Sequence, residues 1–244
     1  MAIFGSHWSL RLLGCWQLQC GQDAVDVGAR QQRLITLLAL QGEQSRRSVA
    51  TRLWPDSSSA RAGANLRASL FRISHEQPGL IQGSADTIGL DPSVEIDVTA
   101  LRSVIDSVLD AGEDAGVRGA VLADLDAAEL VPGCSDDWVL SAQERLDQQR
   151  LLALEAAARR CLRSGDVDRA VEFATLAVHM APLRESAYRL LMEAHLDAGN
   201  RALAAVVFQQ LCATLSDELG VAPCLQFDQL LDARMPARVP VTFL

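Results

Sequence analysis

Two short turn signals, Ser164-Gly165-Asp166 and Ala198-Gly199-Asn200, stand 34 residues apart in the second half of the chain. Helical periodicity runs on both sides of each. This half must therefore be built from helix pairs that stack at a fixed repeat. In register, Ala170 matches Ala204, Phe173 matches Val207 and Ala174 matches Phe208. Small residues at such places let paired helices close, and bulky ones fill the gap between repeats. The expected helices are 152–163, 167–180, 185–198 and 201–217. Two repeats cannot stand alone. A long helix from Trp138 to about Arg163 and a terminal helix near Leu225–Ala233 are expected to close the ends. A generic helical bundle is the other reading of the same pattern.

Upstream of the repeats, Leu101, Val104, Ile105 and Val108 mark a helix over 100–109, and Gly112 to Gly116 break it. Val117 to Leu130 reads as a second helix, closed by Pro132-Gly133. Ser135, Asp136 and Asp137 supply caps for the long helix.

The first 98 residues follow a different rhythm. Trp8 to Leu18 reads as a strand, Gly21-Gln22-Asp23 as a turn, and Ala24 to Val27 as a short returning strand. Residues 30–41 switch to helical spacing through Leu34, Leu37 and Leu38, and Gly42 stops the run. Ser45 caps a second helix with Val49, Ala50, Leu53 and Trp54, which Pro55 ends. A third helix runs from about Ala60 to Glu76, ahead of Pro78-Gly79. Leu80 to Gln82 and Thr87 to Leu90 form a hairpin across Gly83-Ser84-Ala85-Asp86. Strands, three helices and a hairpin make a winged helix, a variant of the helix-turn-helix.

Charge divides along the same line. The formal net charge is −9, and all 22 basic residues are Arg. Residues 1–98 are net neutral, and residues 99–244 carry the whole −9. Within the first part, residues 28–75 hold eight Arg against Glu43 and Asp56. A basic island beside an acidic half is the pattern of a nucleic-acid reader joined to a protein-contact module. A solvated helical surface gives the same pattern. Across the whole chain, the negative balance argues against a general binder of polyanions.

The third helix carries the functional reading. At about 100° per residue, Leu66, Leu70 and Ile73 share one apolar stripe. Arg61, Ala64, Asn65, Ala68, Phe71, Arg72 and His75 fall on the opposite face, with Arg67 on the flank. A helix entering the major groove needs this layout. Small residues let the backbone approach, Arg reads guanine or grips phosphate, and Asn reads adenine. An amphipathic helix with an ordinary polar outer face has the same wheel. Arg46 and Arg47 open the second helix, where a phosphate would also meet the helix dipole. Phe71 is open to three uses: touching a thymine methyl, packing on a protein neighbour, or partial cover within the chain.

The run Ala64-Asn65-Leu66-Arg67-Ala68-Ser69-Leu70-Phe71-Arg72-Ile73 resembles the recognition-helix signature of the Streptomyces antibiotic regulatory protein (SARP) family. Further segments match that family in order. They are Leu12-Leu13-Gly14, Arg30 to Leu34 with Leu37 to Leu40, Arg52-Leu53-Trp54-Pro55, and Leu90 through Val98. In the second half, Leu130 to Gly133 with Trp138, His179 to Glu185, and Asp217 to Pro223 resemble its bacterial transcriptional activator domain.

The resemblance implies a mainly α protein. Residues 1–98 would be an OmpR-type winged helix (α+β) that binds DNA, and 99–244 an all-α tetratricopeptide-like activator domain. It implies a transcriptional activator that binds direct repeats in double-stranded promoter DNA, self-associates, and contacts RNA polymerase, including its sigma factor. The site residues it implies are Arg46, Arg47, Arg61, Asn65, Arg67, Ala68, Phe71, Arg72 and His75. The chain departs from the family at Phe71, Ser74 and His75, and its wing tip, Gly83 to Asp86, has no positive charge. A protein-interaction adaptor with weak or no DNA binding is the alternative reading.

Enzyme motifs are absent from the sequence: there is no GxxxxGK[ST], GxSxG or HExxH. The six cysteines contain no CxxC pair and read as reduced thiols. His7, His75, His179 and His195 stand in separate contexts. The expectation is no catalysis, no cofactor, no metal and no membrane span. With no basic region followed by an apolar run and cleavage site at the start, a cytoplasmic location is expected.

Overall fold

The computed structural model describes residues 7–112, 117, 120–225 and 229–230. The chain divides into two compact units. One comprises Met1–Leu101 with Ala127–Gln143, the other Arg102–Asp126 with Glu144–Leu244.

The first unit opens on a hairpin where one strand was expected over Trp8–Leu18. β1 (Trp8–Arg11) pairs antiparallel with β2 (Gln17–Cys20), and β2 with β3 (Asp23–Val25). Gly14 explains the break. Its φ is +78°, and a Cβ there would stand 3.1 Å from Ala128 Cβ. The turn lies against 128–131, where Gly14 N–H donates to Glu129 O (2.8 Å) and Val131 N–H to Leu12 O (2.7 Å).

Three helices follow: α1 (Ala29–Gln41), α2 (Arg46–Leu53) and α3 (Ser59–Glu76). Side-chain caps set two of their starts, as Ser45 Oγ accepts from Ser48 N–H (3.1 Å) and Ser58 Oγ from Arg61 N–H (3.4 Å). The wing is β5 (Ile81–Gly83) with β6 (Thr87–Leu90). Its third member, β4 (Gln44–Ser45), pairs with β6 and was not expected from the sequence. β7 (Glu95–Ile96) returns to pair in parallel with β1, completing the order β3-β2-β1-β7. This is the expected winged helix.

Asp97 closes the unit. Its carboxylate accepts from the N–H groups of Leu12 (3.0 Å), Leu13 (2.9 Å) and Val98 (2.7 Å). It thus ends β1 and opens α4 (Asp97–Asp110), where a negative charge suits the helix dipole.

Among its described residues, the second unit is built from helices. α6 (Asp137–Ser164) leads into α7 (Val167–Met180), α8 (Glu185–Asp197) and α9 (Arg201–Leu219), with α7 packed on α8 and α8 on α9. The repeat is visible in its turns. Gly165 and Gly199 both adopt φ +76°. Asp166 N–H reaches Cys161 O (2.9 Å), and Asn200 N–H reaches His195 O (2.7 Å), the same six-to-one closure at each C-terminus. Ala170, Phe173, Ala174, Ala204 and Val207 are buried, as the register requires. The second expected helix is shorter than 117–130: α5 covers Val121–Leu125, and Leu13 bridges to Leu130 instead. Of the breaker Gly112 to Gly116, residues 113–116 lie outside the described residues. So does most of the expected helix at Leu225–Ala233, although Leu225 and Leu230 are buried.

Buried arginines finish the helix ends of this unit. Arg150 donates to Leu125 O at the end of α5 (2.8 Å), and Arg160 to Ala111 O past the end of α4 (2.7 Å). These carbonyls have no intrahelical partner, and a cation also suits that end of the dipole. Glu155 of α6, 2% exposed, holds Arg184 through two hydrogen bonds (2.7 and 3.2 Å), Arg159 (3.0 Å) and the Ser186 hydroxyl (2.5 Å). Burial pushes its carboxyl pKa up. The hydrogen bonds from Arg184 and Ser186, with the charges of Arg184 and Arg159, outweigh burial and leave it below the ordinary range. His195, half-buried on α8, has its pKa lowered by burial and packs as a neutral ring.

Two outcomes test this account. Asp97→Ala removes the acceptor of three backbone N–H groups and lowers the stability of the first unit by about 1–3 kcal/mol in urea unfolding. The lowered pKa of Glu155 gives stability that is full above the ordinary carboxylate pKa of about 4.3 and is lost as pH falls through the folded value. Glu155→Gln should flatten that acid limb while lowering stability at neutral pH.

Candidate nucleic-acid interface

The surface of α3 is set by what it buries. Ala62, Leu66, Ser69 and Ile73 point into the first unit, and Leu70, expected beside them, is only half-buried. At about 100° per residue, that leaves Ala64, Phe71, His75 and Ala68 along the outward ridge. Arg61, Arg67 and Arg72 are exposed along its flanks, while Asn65 is half-buried at the edge. The ridge therefore has a small and aromatic crest with guanidinium sides.

Phe71 is 77% exposed, the most exposed large apolar side chain among the described residues. Its ring lies parallel to that of His75, one turn on, with centroids 6.5 Å apart and planes 3° apart. Arg72 Nε pairs with Glu76 at 3.3 Å, both side chains about half exposed or more. Such an i,i+4 pair contributes only ~0.3–0.5 kcal/mol, so another anion can displace it.

Two depressions border the ridge. On one side, Arg46, Arg47, Arg67, Ala50, Gly63 and Ala85 line a cleft of about 440 Å³ shared by α2, α3 and the wing turn. On the other side, Arg30 and Gln31 of α1 face Ala68, Arg72 and His75 across a second hollow. The two hollows bring together every singled-out site residue except Arg61 and Asn65. Arg30 belongs to the basic island but was not singled out from sequence. Its signal was its place at the start of the first helix, and only folding brings that end beside α3.

Arg46 is held rather than free. Its Nε donates to Ser84 O (3.0 Å), and its backbone N–H to Asp86 O (2.8 Å). The wing tip, which has no basic residue of its own, thus carries a cation lent by α2. Arg33 is engaged too. Its guanidinium meets Asp136 in two hydrogen bonds (2.6 and 2.9 Å), so this carboxylate, expected as a helix cap, serves as an ion-pair partner. Arg52 donates to Gln41 Oε1. Arg30, Arg47, Arg61 and Arg67 have no guanidinium hydrogen bond or ion pair among the described residues. Four open cations around one helix form a surface complementary to a polyanion.

The match to known proteins falls on the other half of the chain. Residues 115–233 match the family of the bacterial transcriptional activator domain. That match makes residues 115–233 a bacterial transcriptional activator domain. The fold of the chain is also that of Mycobacterium tuberculosis EmbR in complex with a low-affinity phosphopeptide, at a TM-score of 0.68 and 19% identity. That likeness covers 92% of this chain and 64% of EmbR, so the chain spans less than two thirds of its structural neighbour. No curated protein matches it. Among the described residues, no helix is long and apolar enough to cross a membrane. Nor, among the described residues, is any group of three or more His, Cys, Asp or Glu placed to hold a metal ion.

Because the Phe71 ring contributes almost nothing to the interior, Phe71→Ala should leave the unfolding midpoint within about 0.5 kcal/mol of the parent. A larger loss in urea titration would mean that the ring is covered within the chain.

Proposed function

We propose that the chain is a SARP-type regulator, a sequence-specific transcriptional activator that reads double-stranded promoter DNA with α3. The observation that carries the reading is the exposed ridge of α3 between two arginine-lined hollows. A helix in the major groove presents its crest to base edges and meets a phosphate strand on each side. In this reading Arg72 and Asn65 approach bases, and Ala68 allows close approach. Phe71 and His75 sit over the groove floor. Arg46, Arg47, Arg61 and Arg67 grip phosphates, joined by Arg30.

The division of labour proposed is DNA binding by 1–98 and activation by 99–244. The activator domain would recruit RNA polymerase, including its sigma factor, and support self-association on direct repeats, as family kinship suggests. The acidic balance of 99–244 suits that role, since it repels DNA while attracting basic protein surfaces. The regulator would act in the cytoplasm, without catalysis or a cofactor, on a secondary-metabolite or other pathway gene cluster.

A second reading is a protein-interaction adaptor. The lack of any basic residue in the wing tip itself and the solvent-facing Phe71 favour it.

Selection of bound duplexes from a random pool by the full chain separates the two. A promoter reader enriches a short motif with steep salt dependence. An adaptor enriches none, even at low salt. On the selected duplex, Arg47→Ala should weaken all sequences alike and reduce the salt slope by about one. Arg72→Ala should cost about 1–3 kcal/mol and relax preference at one position, as seen in fixed-salt titrations.

A further inference from the structure

Phe71 differs from every other feature of the ridge, because a ring 77% exposed to water gains nothing where it stands. Nor is it part of an apolar patch. Its neighbours on the ridge are Ala64, Ala68, His75 and the flanking arginines. The other large exposed apolar side chains among the described residues are at 109, 140, 152, 183, 203, 206, 219 and 221, none of them on α1, α2, α3 or the wing. A protein-docking surface of ordinary size needs a wider apolar core than one ring.

A single apolar point bounded by guanidiniums fits a target that is apolar at one point and anionic around it. The floor of the DNA major groove offers one such point, the 5-methyl group of thymine, with phosphates on both sides. Stacking on His75 restricts the ring, as the parallel planes indicate. A ring held along the crest presents a fixed apolar surface without losing rotamer freedom on binding.

Resting on the DNA-reading function proposed above, we infer that Phe71 is a specificity-determining residue that recognises the 5-methyl group of one thymine. The site thereby prefers thymine to any base without a methyl at that position.

The test uses the full chain and the duplex obtained by selection. Each thymine is replaced in turn by deoxyuridine, which removes the methyl and keeps every hydrogen-bonding group. One replacement should weaken binding about three- to five-fold, the worth of one buried methyl. Phe71→Ala should lose a similar factor on the thymine duplex and no longer distinguish thymine from deoxyuridine there. Phe71→Leu should keep part of the distinction. Arg47→Ala should weaken binding yet keep the full ratio.

A wild-type chain indifferent to deoxyuridine at every position overturns the inference and leaves the DNA-reading function standing. The same holds if Phe71→Ala still discriminates, or if it binds all duplexes as the parent does, the outcome expected of a ring that serves a protein neighbour. Failure to select any duplex overturns the DNA-reading function and this inference with it.

Discussion

Ala62, Leu66, Ser69 and Ile73 occupy an arc of about 60° on α3, and that narrow seam decides everything the helix shows to solvent. Burying Leu66 and Ile73 contributes roughly 1.5–3 kcal/mol each. Rotating the helix by one residue would forfeit both and turn arginine flanks inward, where an unpaired guanidinium is far costlier. The crest of Ala64, Ala68, Phe71 and His75 is therefore fixed by the opposite side of the helix. Around it the cations are arranged by other elements: α2 supplies Arg46 and Arg47, and the first turn of α1 supplies Arg30.

The second unit uses the same residue type differently. Arg150 and Arg160 are spent on carbonyls at helix ends, and Arg159 and Arg184 on the buried Glu155. Of these four, only Arg150 and Arg160 are buried, and Arg159 and Arg184 keep part of their guanidinium surface in solvent. Glu185 plays a comparable part at the other end of the motif that begins at His179. Its carboxylate accepts from the N–H groups of Cys224 (3.1 Å) and Leu225 (2.9 Å), tying down the chain just after Pro223. Two stretches that carry the family resemblance are thereby joined by one side chain.

Much of the fold was legible because its signals are local. The cap at Ser45, the stops at Gly42 and Pro78, and the glycines at 165 and 199 act within a few residues. What stayed hidden depends on distant partners. A two-residue strand such as β4 has no periodicity to read and exists through its pairing with β6. The turn at Gly14 looked like the middle of a strand because its flanks are apolar on both sides, and its partner, Ala128, is over 100 residues away. Asp136 stood where a cap belongs, and only the fold brings Arg33 to its carboxylate. For the interface, the wheel of α3 gave the crest. It could not give Arg30, or the loan of Arg46 to the wing, since neither follows from the spacing of one helix.

That loan also changes how the corner behaves. Arg46 is bonded to Ser84 and Asp86, and β4 is paired to β6, so the start of α2 and the wing turn form a single braced piece. A free hairpin tip would have to surrender its conformational entropy on meeting a target. Here that loss has already occurred during folding.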